Sequence, residues 1–338
     1  MTQRIRVVQF GLGPIGQALA AEALAREDLE LVGGVDRAPE LAGCRLEDLL
    51  GPQAHGLPRV VPNLGDLSMP APPRVVLHAT GSRLPSVLPE LEEILSSGFH
   101  CVSSCEELSY PCLRHPGLAK RLDALAREQR VGLIGAGVNP GFVLDLLPAV
   151  LSAACRRVDG VRASRIVDVT RRRVPLRWKV GMGLTPDAYR TREASLGSMG
   201  HVGLGESAAL LASALGWQGG AVTETSEPVT ADREVRAAGI VIPPGGILGT
   251  RTRASLRVEG IERITLQVTI AAGVDMEEDR IHLEGDPPLT LVIPGGIPGD
   301  SATVSLLASV ALRIGSVPPG LHTMLTVPVA PREAPPPT

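Results

Sequence analysis

The hydrophobic pattern of this chain changes character part-way along. Up to about residue 140, short apolar runs alternate with segments whose apolar residues recur every three or four positions. Ile5–Phe10 is an apolar run suited to a buried parallel strand. Pro14–Ala25 is alanine-rich and helical, with Pro14 in the first turn, where a missing N–H costs nothing. Leu29–Val35, Val75–Ala79, Phe99–Ser103 and Val131–Ile134 predict further strands. Between them, Leu88, Leu91 and Leu95 mark one helix face that stops at Gly98, and Leu118, Leu122 and Leu125 mark another. Repeated strand–helix units predict an α/β fold, a doubly wound parallel sheet with helices on both faces.

After about residue 155 strict alternation appears. In "ERITLQVTI" (262–270), Ile264, Leu266, Val268 and Ile270 point one way and Thr265, Gln267 and Thr269 the other. A strand with one wet face is typical of antiparallel sheets. "TRASLRVEG" reads as its partner across a turn near Gly260, and "IHLEGDPPLTLVI" as another hairpin. Helices are expected near 186–196 and 206–215. The second domain is therefore α+β, built on a mostly antiparallel sheet. "GDSATVSLLASVALRIG" is helical again, with Asp300 or Ser301 as its cap and Val304, Leu307, Ala311 and Ile314 as its stripe.

The segment "VVQFGLGPIGQALA" (7–20) carries the first chemistry. Its glycines stand between a strand and a helix, the setting a dinucleotide loop needs. Gly11 permits the tight turn, Gly13 lets the backbone approach a pyrophosphate, and Gly16 lets the helix pack on the sheet. Leu12, Pro14 and Ile15 complete the loop, whose helix offers unpaired N–H groups to phosphates. Asp36, at the end of the second strand, is placed for the adenosine ribose and favours NAD. Arg37 beside it could attract a 2′-phosphate or stack on adenine, so NADP use is possible; equally it could be a solvated surface residue. The expected architecture is thus a Rossmann-type dinucleotide domain of residues 1–142 plus 300–330. A substrate-binding and dimerisation domain follows at 143–299, and a proline-rich disordered tail at 331–338. Ligands bind at the carboxyl edge of such a sheet. Ala79, Thr80, Gly81 and Ser82, then Ser103–Glu107 with Ser104, then Gly137–Gly141, are the loops there.

Composition narrows the class. The chain has 338 residues, 44 % hydrophobic and 20 % charged, a globular balance long enough for two domains. A net charge of −3 and a shortage of aromatic residues argue against nucleic acid. No apolar run is long enough to span a bilayer and no signal peptide is seen, so a cytoplasmic protein with no membrane partner is expected. Five cysteines without a CxxC pair make a disulfide framework improbable. His100, Cys101, Cys105, Cys112 and His115 cluster along the chain, but no ligand pair has finger-like spacing. Buried thiols are the preferred reading, and no metal is expected.

"SSCEELSYP" (103–111) places two carboxylates just past a sheet strand, either facing the nicotinamide end of the cleft or simply solvated. Together, "QFGLGPIG", "GVD", "HATGS", "SSCEELSYP", "GAGVNPGFVLD", "RRRVPLRWKVGMGLTPDAY" and "GGIPGDSATVSLLASV…PPGLHTM" resemble one family. It is that of the 2,4-diaminopentanoate dehydrogenases and related native amine dehydrogenases, whose architecture is like dihydrodipicolinate reductase. The resemblance covers nearly the whole chain. It implies NAD(P)-dependent oxidative deamination of an amine to a ketone or aldehyde, reversible as reductive amination with ammonia. It also implies a catalytic glutamate in "CEEL", carried here onto Glu106 with Glu107 as second choice, and a turn at Asn139, Pro140 and Gly141 supporting the nicotinamide. The histidine-rich stretch and DAPSGT-type segment of the reductases themselves are absent, which counts against the lysine-pathway reaction.

The substrate side is less sharply marked. Arg171, Arg172, Arg173 and His201 could meet a substrate carboxylate, although a solvated or dimer-rim arginine run is the favoured reading. In that case Val138, Phe142, Trp178, Met182, Leu184 and Tyr189 would line an apolar pocket, or Trp178, Met182, Leu184 and Tyr189 could be ordinary core. Two other functions remain open at this stage: an imine or carbonyl reductase that does not use free ammonia, and a dinucleotide sensor without catalysis. The exposed faces of the second sheet suggest a homodimer.

Overall fold

The computed structural model describes residues 4–68, 74–196, 199–329 and 331, so the tail expected at 331–338 lies almost wholly outside the described residues. The chain divides into two compact units, residues 1–142 with 298–338, and residues 143–297. The first unit opens with β1 (Ile5–Phe10), α1 (Pro14–Ala25), β2 (Leu29–Val35), α2 (Leu46–Leu50), β3 (Arg74–His78), α3 (Leu84–Ser96), β4 (His100–Ser103), α4 (Pro116–Glu128) and β5 (Gly132–Gly135). The second unit contains α5 (Leu146–Ser152), β6 (Arg157–Asp168), α6 (Val174–Lys179), α7 (Pro186–Leu196), α8 (Leu204–Ala214), β7 (Ala221–Thr230), β8 (Val235–Ala237), β9 (Ile240–Ile242), β10 (Ile247–Val258), β11 (Ile261–Ala271), β12 (Glu278–Asp286) and β13 (Leu289–Pro294). The chain then returns to the first unit with α9 (Gly299–Ala311) and β14 (Gly320–His322).

The first unit is built on a six-stranded, wholly parallel sheet in the order β14-β5-β4-β3-β1-β2. The strand order reverses between β1 and β3, which is where an open α/β sheet leaves a crevice at its carboxyl edge. Val61 forms a single parallel bridge to Val35 beyond β2, a trace of one more strand that the intervening short helices do not extend. The expected helix faces do form the core. Leu91, Leu95 and Leu122 are fully buried against Val8, Phe10, Val76 and Leu133, with Leu88, Leu118 and Leu125 partly buried around them. α9 packs on α1 within this unit. Neither Asp300 nor Ser301 caps α9: Pro298 holds the cap position, so the helix begins earlier. Asp300 falls in the first turn, where its charge suits the positive helix end.

The second unit carries a mixed sheet in the order β13-β12-β6-β11-β10-β7. All of its pairings are antiparallel except β6 with β11. Ile264, Leu266, Val268 and Ile270 of β11 are buried as the alternation requires. α8 lies against β7, β10 and β11 and covers that inner face. β6, β7 and the short β14 were not anticipated. Charged residues interrupt the alternation of β6, three residues are too few to show any period, and β7 carries Pro228, which an edge strand tolerates.

One buried ion pair anchors the end of this unit. Arg165 on β6 and Asp279 on β12 are 4 % and 1 % exposed, with Nε and Oδ1 2.9 Å apart. Arg165 Nη2 donates to the Ile297 carbonyl at 2.5 Å, and Asp279 Oδ2 accepts the Ile297 N–H at 2.7 Å. Burial lowers the Arg165 pKa and raises that of Asp279, so each charge persists because the other is there. Asp279→Ala would leave a buried guanidinium without its counter-charge and orphan the Ile297 N–H. We expect a loss of about 3–5 kcal/mol in chemical denaturation. A loss below about 1 kcal/mol, the scale of a solvated surface pair, would contradict the account.

Candidate active site

The glycine loop is tied into both neighbouring strands. Gly11 N–H donates to the Val35 carbonyl and Ala79 N–H to the Phe10 carbonyl, each at 2.8 Å. Gly11 has φ +86°, and a Cβ there would lie 2.6 Å from the Ala79 carbonyl oxygen. A Cβ on Gly16 would lie 1.8 Å from the Gly11 carbonyl oxygen, so α1 rests directly on the loop backbone. Gly13 differs: a Cβ there would meet nothing within 4 Å. The first and third glycines thus serve packing, while the second opens onto free space at the start of α1. No side chain caps that helix end. Two residues missed in the sequence hold the loop from inside. Gln9 Nε2 donates to the carbonyls of Gly11 (2.8 Å) and Phe10 (3.2 Å), and Gln17 Nε2 to that of Leu12 (2.8 Å). With the carbonyls taken, the unit offers uncapped N–H groups beside an open glycine, the arrangement that binds a pyrophosphate.

Asp36 stands beside this loop. Its Oδ2 accepts the Leu12 N–H at 2.6 Å and its Oδ1 the Ala38 N–H at 2.8 Å. These bonds fix a negative carboxylate at the end of β2, where ribose hydroxyls are recognised. Pro14 is exposed and Ile15 half-buried in the first turn of α1. Arg37 is not free: Nη2 is 2.5 Å from Glu93 Oε2 on α3, and the guanidinium lies 5.7 Å from the Phe10 ring centre.

The loops after β3 and β4 are locked together by buried polar groups. His78, fully buried on β3, has Nδ1 2.8 Å from Ser103 Oγ and Nε2 2.9 Å from Glu90 Oε2. Thr80 Oγ1 donates to the same Glu90 oxygen at 2.5 Å. Burial works against the Glu90 carboxylate, but the bonds from His78 and Thr80 and the nearby positive charge outweigh it and hold its pKa below the usual value. Ser103 Oγ also accepts the Cys105 N–H at 3.1 Å, Ser104 N–H donates to the His78 carbonyl, and Glu107 N–H to that of Ser82. Gly81 and Ser82 are therefore held against the glutamate turn. The periodic pattern gave no sign of His78 or Glu90: a lone polar residue in a buried strand has no period, and an acidic residue on helix α3 reads as part of a solvated face.

The turn itself is a single 3-10 segment, Glu106–Ser109. A Cβ on Gly135 would lie 2.5 Å from the Leu108 backbone, so this segment packs directly on the end of β5. The two glutamates separate sharply. Glu107 is 2 % exposed; its Oε2 accepts the Leu84 N–H at 2.8 Å and lies 3.0 Å from His115 Nε2, and its Oε1 is 3.1 Å from Arg83 Nη1. Its carboxylate is committed to the N-terminus of α3. Glu106 is half-buried, and no ion pair or side-chain hydrogen bond holds its carboxylate among the described residues. Following β5, Val138 is buried with its N–H 3.3 Å from Thr303 Oγ1 on α9, Asn139 and Pro140 are buried, and Phe142 is half-buried.

In the second unit, Trp178 is exposed with the Arg192 guanidinium 4.2 Å above its ring, beside a shallow cleft lined also by Ala188, Thr191 and Leu196. Tyr189 is instead core, packed with Met199 and Ile247 and partly buried Leu184. Burial pushes its phenol up to about 12. Met182 is half-buried and does not line the Trp178 cleft. Arg171 and Arg173 are exposed, while Arg172 and His201 are half-buried. Cys101 and Cys105 are buried thiols with raised pKa values, and no group of three metal-ligating side chains occurs among the described residues.

The family model of the 2,4-diaminopentanoate dehydrogenase C-terminal domain matches residues 142–333. The chain belongs to the 2,4-diaminopentanoate dehydrogenase family. It is an oxidoreductase of the amine dehydrogenase type. It is 27 % identical to the 2,4-diaminopentanoate dehydrogenase of Acetoanaerobium sticklandii, over 97 % of this chain and 94 % of that one. It is 25 % identical to an amine dehydrogenase of Streptomyces virginiae, over 97 % of each. The fold is shared with an amine dehydrogenase from Mycobacterium smegmatis, at a TM-score of 0.83 and 24 % identity over 97 % of each chain.

The unequal glutamates give a stability test. Glu107→Gln puts an amide among donors that need an acceptor and should lower unfolding free energy by about 1–3 kcal/mol. Glu106→Gln removes no such bond, and thermal melting should match the wild type. Equal destabilisation of the two variants would contradict the division of roles.

Proposed function

We propose that this amine dehydrogenase uses Glu106 as its acid–base group, and that NAD is preferred over NADP. The observation carrying this reading is the contrast within "CEEL": Glu107 is consumed by α3, Arg83 and His115, whereas Glu106 keeps its carboxylate available next to the strand ends that border the glycine loop. The glycine loop and Asp36 would hold the dinucleotide by its pyrophosphate and ribose, and Thr80, Gly81, Ser82, Ser104, Asn139 and Pro140 would flank it. When bound, the nicotinamide donates or accepts hydride.

Glu106 then moves protons. In the direction of reductive amination it takes a proton from ammonium, so that free ammonia can add to the carbonyl. It next delivers that proton to the hydroxyl of the carbinolamine, which leaves as water and gives an iminium ion. The regenerated carboxylate stabilises that cation until hydride reaches carbon. In the deaminating direction the same carboxylate takes a proton from the water that attacks the iminium.

None of Arg171, Arg172, Arg173 and His201 is fully buried, which favours a simple amine or ketone over a diamino acid, because a specific carboxylate site is better served by a buried cation. Val138 and Phe142, which flank the Asn139–Pro140 turn, are proposed for the apolar part of the substrate; Trp178 and Met182 of the second unit are separate candidates, and Tyr189 is given up to the core. A homodimer through the exposed outer face of the second sheet is also proposed, with cross-strand ion pairs such as Arg162–Glu284 and Arg253–Glu262 on that face. Free cysteines fit a reducing, cytoplasmic setting. No helix among the described residues is long and apolar enough to cross a membrane.

The test is NADH consumption with an aliphatic ketone, with and without ammonium. Turnover should require ammonium and yield the amine. Equal turnover without ammonium, giving alcohol, would replace this reading with a carbonyl reductase. Nucleotide binding without turnover over a range of ketones and aldehydes would favour a sensor.

A further inference from the structure

We propose that Glu93 on α3 sets the choice between NAD and NADP by holding the guanidinium of Arg37. The residue at the end of β2, Asp36, is the usual discriminator, and its two backbone bonds keep it in place. Arg37, one residue on, is the obvious cation for a 2′-phosphate. Yet its Nη2 is 2.5 Å from Glu93 Oε2 and its Nη1 4.0 Å from Glu90 Oε1. Two carboxylates, on Glu90 and Glu93, thus lie within 4.0 Å of one guanidinium, and Asp36 is its neighbour in the chain. A 2′-phosphate brings close to two further negative charges. It would have to displace Glu93 from Arg37 or remain unpaired beside Asp36. NAD offers only hydroxyls there and asks nothing of Arg37.

Glu93 cannot swing aside without cost. Its other oxygen, Oε1, accepts the N–H of buried Leu64 at 2.9 Å. Glu90 is likewise engaged, through Oε2, by His78 and Thr80. The Arg37 side chain is nevertheless 45 % exposed, so solvent, and a phosphate, can reach it. It is a cation held in reserve.

This geometry defines a clean substitution. Glu93→Gln keeps a carbonyl oxygen for the Leu64 N–H and turns an uncharged amide towards Arg37. The inference rests on the assignment of Asp36 to the adenosine ribose and not on the amine chemistry. It is therefore tested by binding alone, through fluorescence titration of NADH and NADPH without substrate. Affinity for NADPH relative to NADH should rise about tenfold in Glu93→Gln, equivalent to about 1.4 kcal/mol. The gain should vanish in Glu93→Gln/Arg37→Ala. Arg37→Ala alone should shift the ratio by less than about twofold, since the guanidinium is already occupied. An unchanged ratio in a folded Glu93→Gln variant overturns the proposal, as does a gain that survives removal of Arg37. A large loss of NADPH binding in Arg37→Ala alone would overturn it too, without needing the Glu93 variant. Failure of ammonium-dependent turnover would strike only the amine reading and leave these titrations standing.

Discussion

The buried carboxylate of Glu107 is the constraint on which the candidate site depends. A carboxylate removed from water must be met by donors, and here Leu84 N–H, Arg83 and His115 meet it. Because Leu84 is the first residue of α3, the same contact satisfies a helix end that no local side chain caps. It therefore fastens the turn after β4 to the loop after β3. The 3-10 segment then has one allowed position, against a glycine at the end of β5 where a methyl group would collide. The neighbouring glutamate inherits a fixed backbone and an uncommitted side chain, the combination an acid–base group needs. An adjacent pair of identical residues is thereby divided into one whose carboxylate holds the structure and one whose carboxylate is uncommitted.

The nucleotide side is ordered by close approach rather than by charge alone. Gly16 lets α1 sit on the carbonyl of Gly11, and Gly11 lets the loop sit on the carbonyl of Ala79. Gln9 and Gln17 take up the loop carbonyls, so the polar groups left over are donors. Asp36 closes the arrangement by accepting the Leu12 N–H from the end of the neighbouring strand β2. The carboxylate that would read the ribose is thus also part of what shapes the loop. α3 joins the two ends of this edge, meeting Glu107 at its start and Arg37 further along through Glu93.

Much of this was legible in the sequence, for definite reasons. The parallel sheet announced itself through short apolar runs separated by helical spacing, and β11 through alternation sustained along its length. β6 and β7 escaped because arginine, aspartate, glutamate and proline break their pattern. The cap of α9 was misplaced because Asp300 and Ser301 are good capping residues, yet the chain enters the helix through Pro298. The glycines could be read because each occupies a fixed place between a strand and a helix. The difference between Glu106 and Glu107 could not, since it depends on Arg83, Leu84 and His115. Nor could the state of Arg37, whose partner Glu93 lies 56 positions away in the chain. Pairings of that range leave no local trace in composition or period.

The central claim is that Glu106 carries the proton transfers of amine formation. Its most direct measurement is the steady-state rate of reductive amination by Glu106→Gln, taken alongside the NADH dissociation constant of the same protein. The account predicts a fall of about 10²–10⁴ in rate, the range of a lost general acid–base group, with NADH affinity within a few-fold of wild type. A variant that binds NADH normally and aminates a ketone at the full wild-type rate would contradict it.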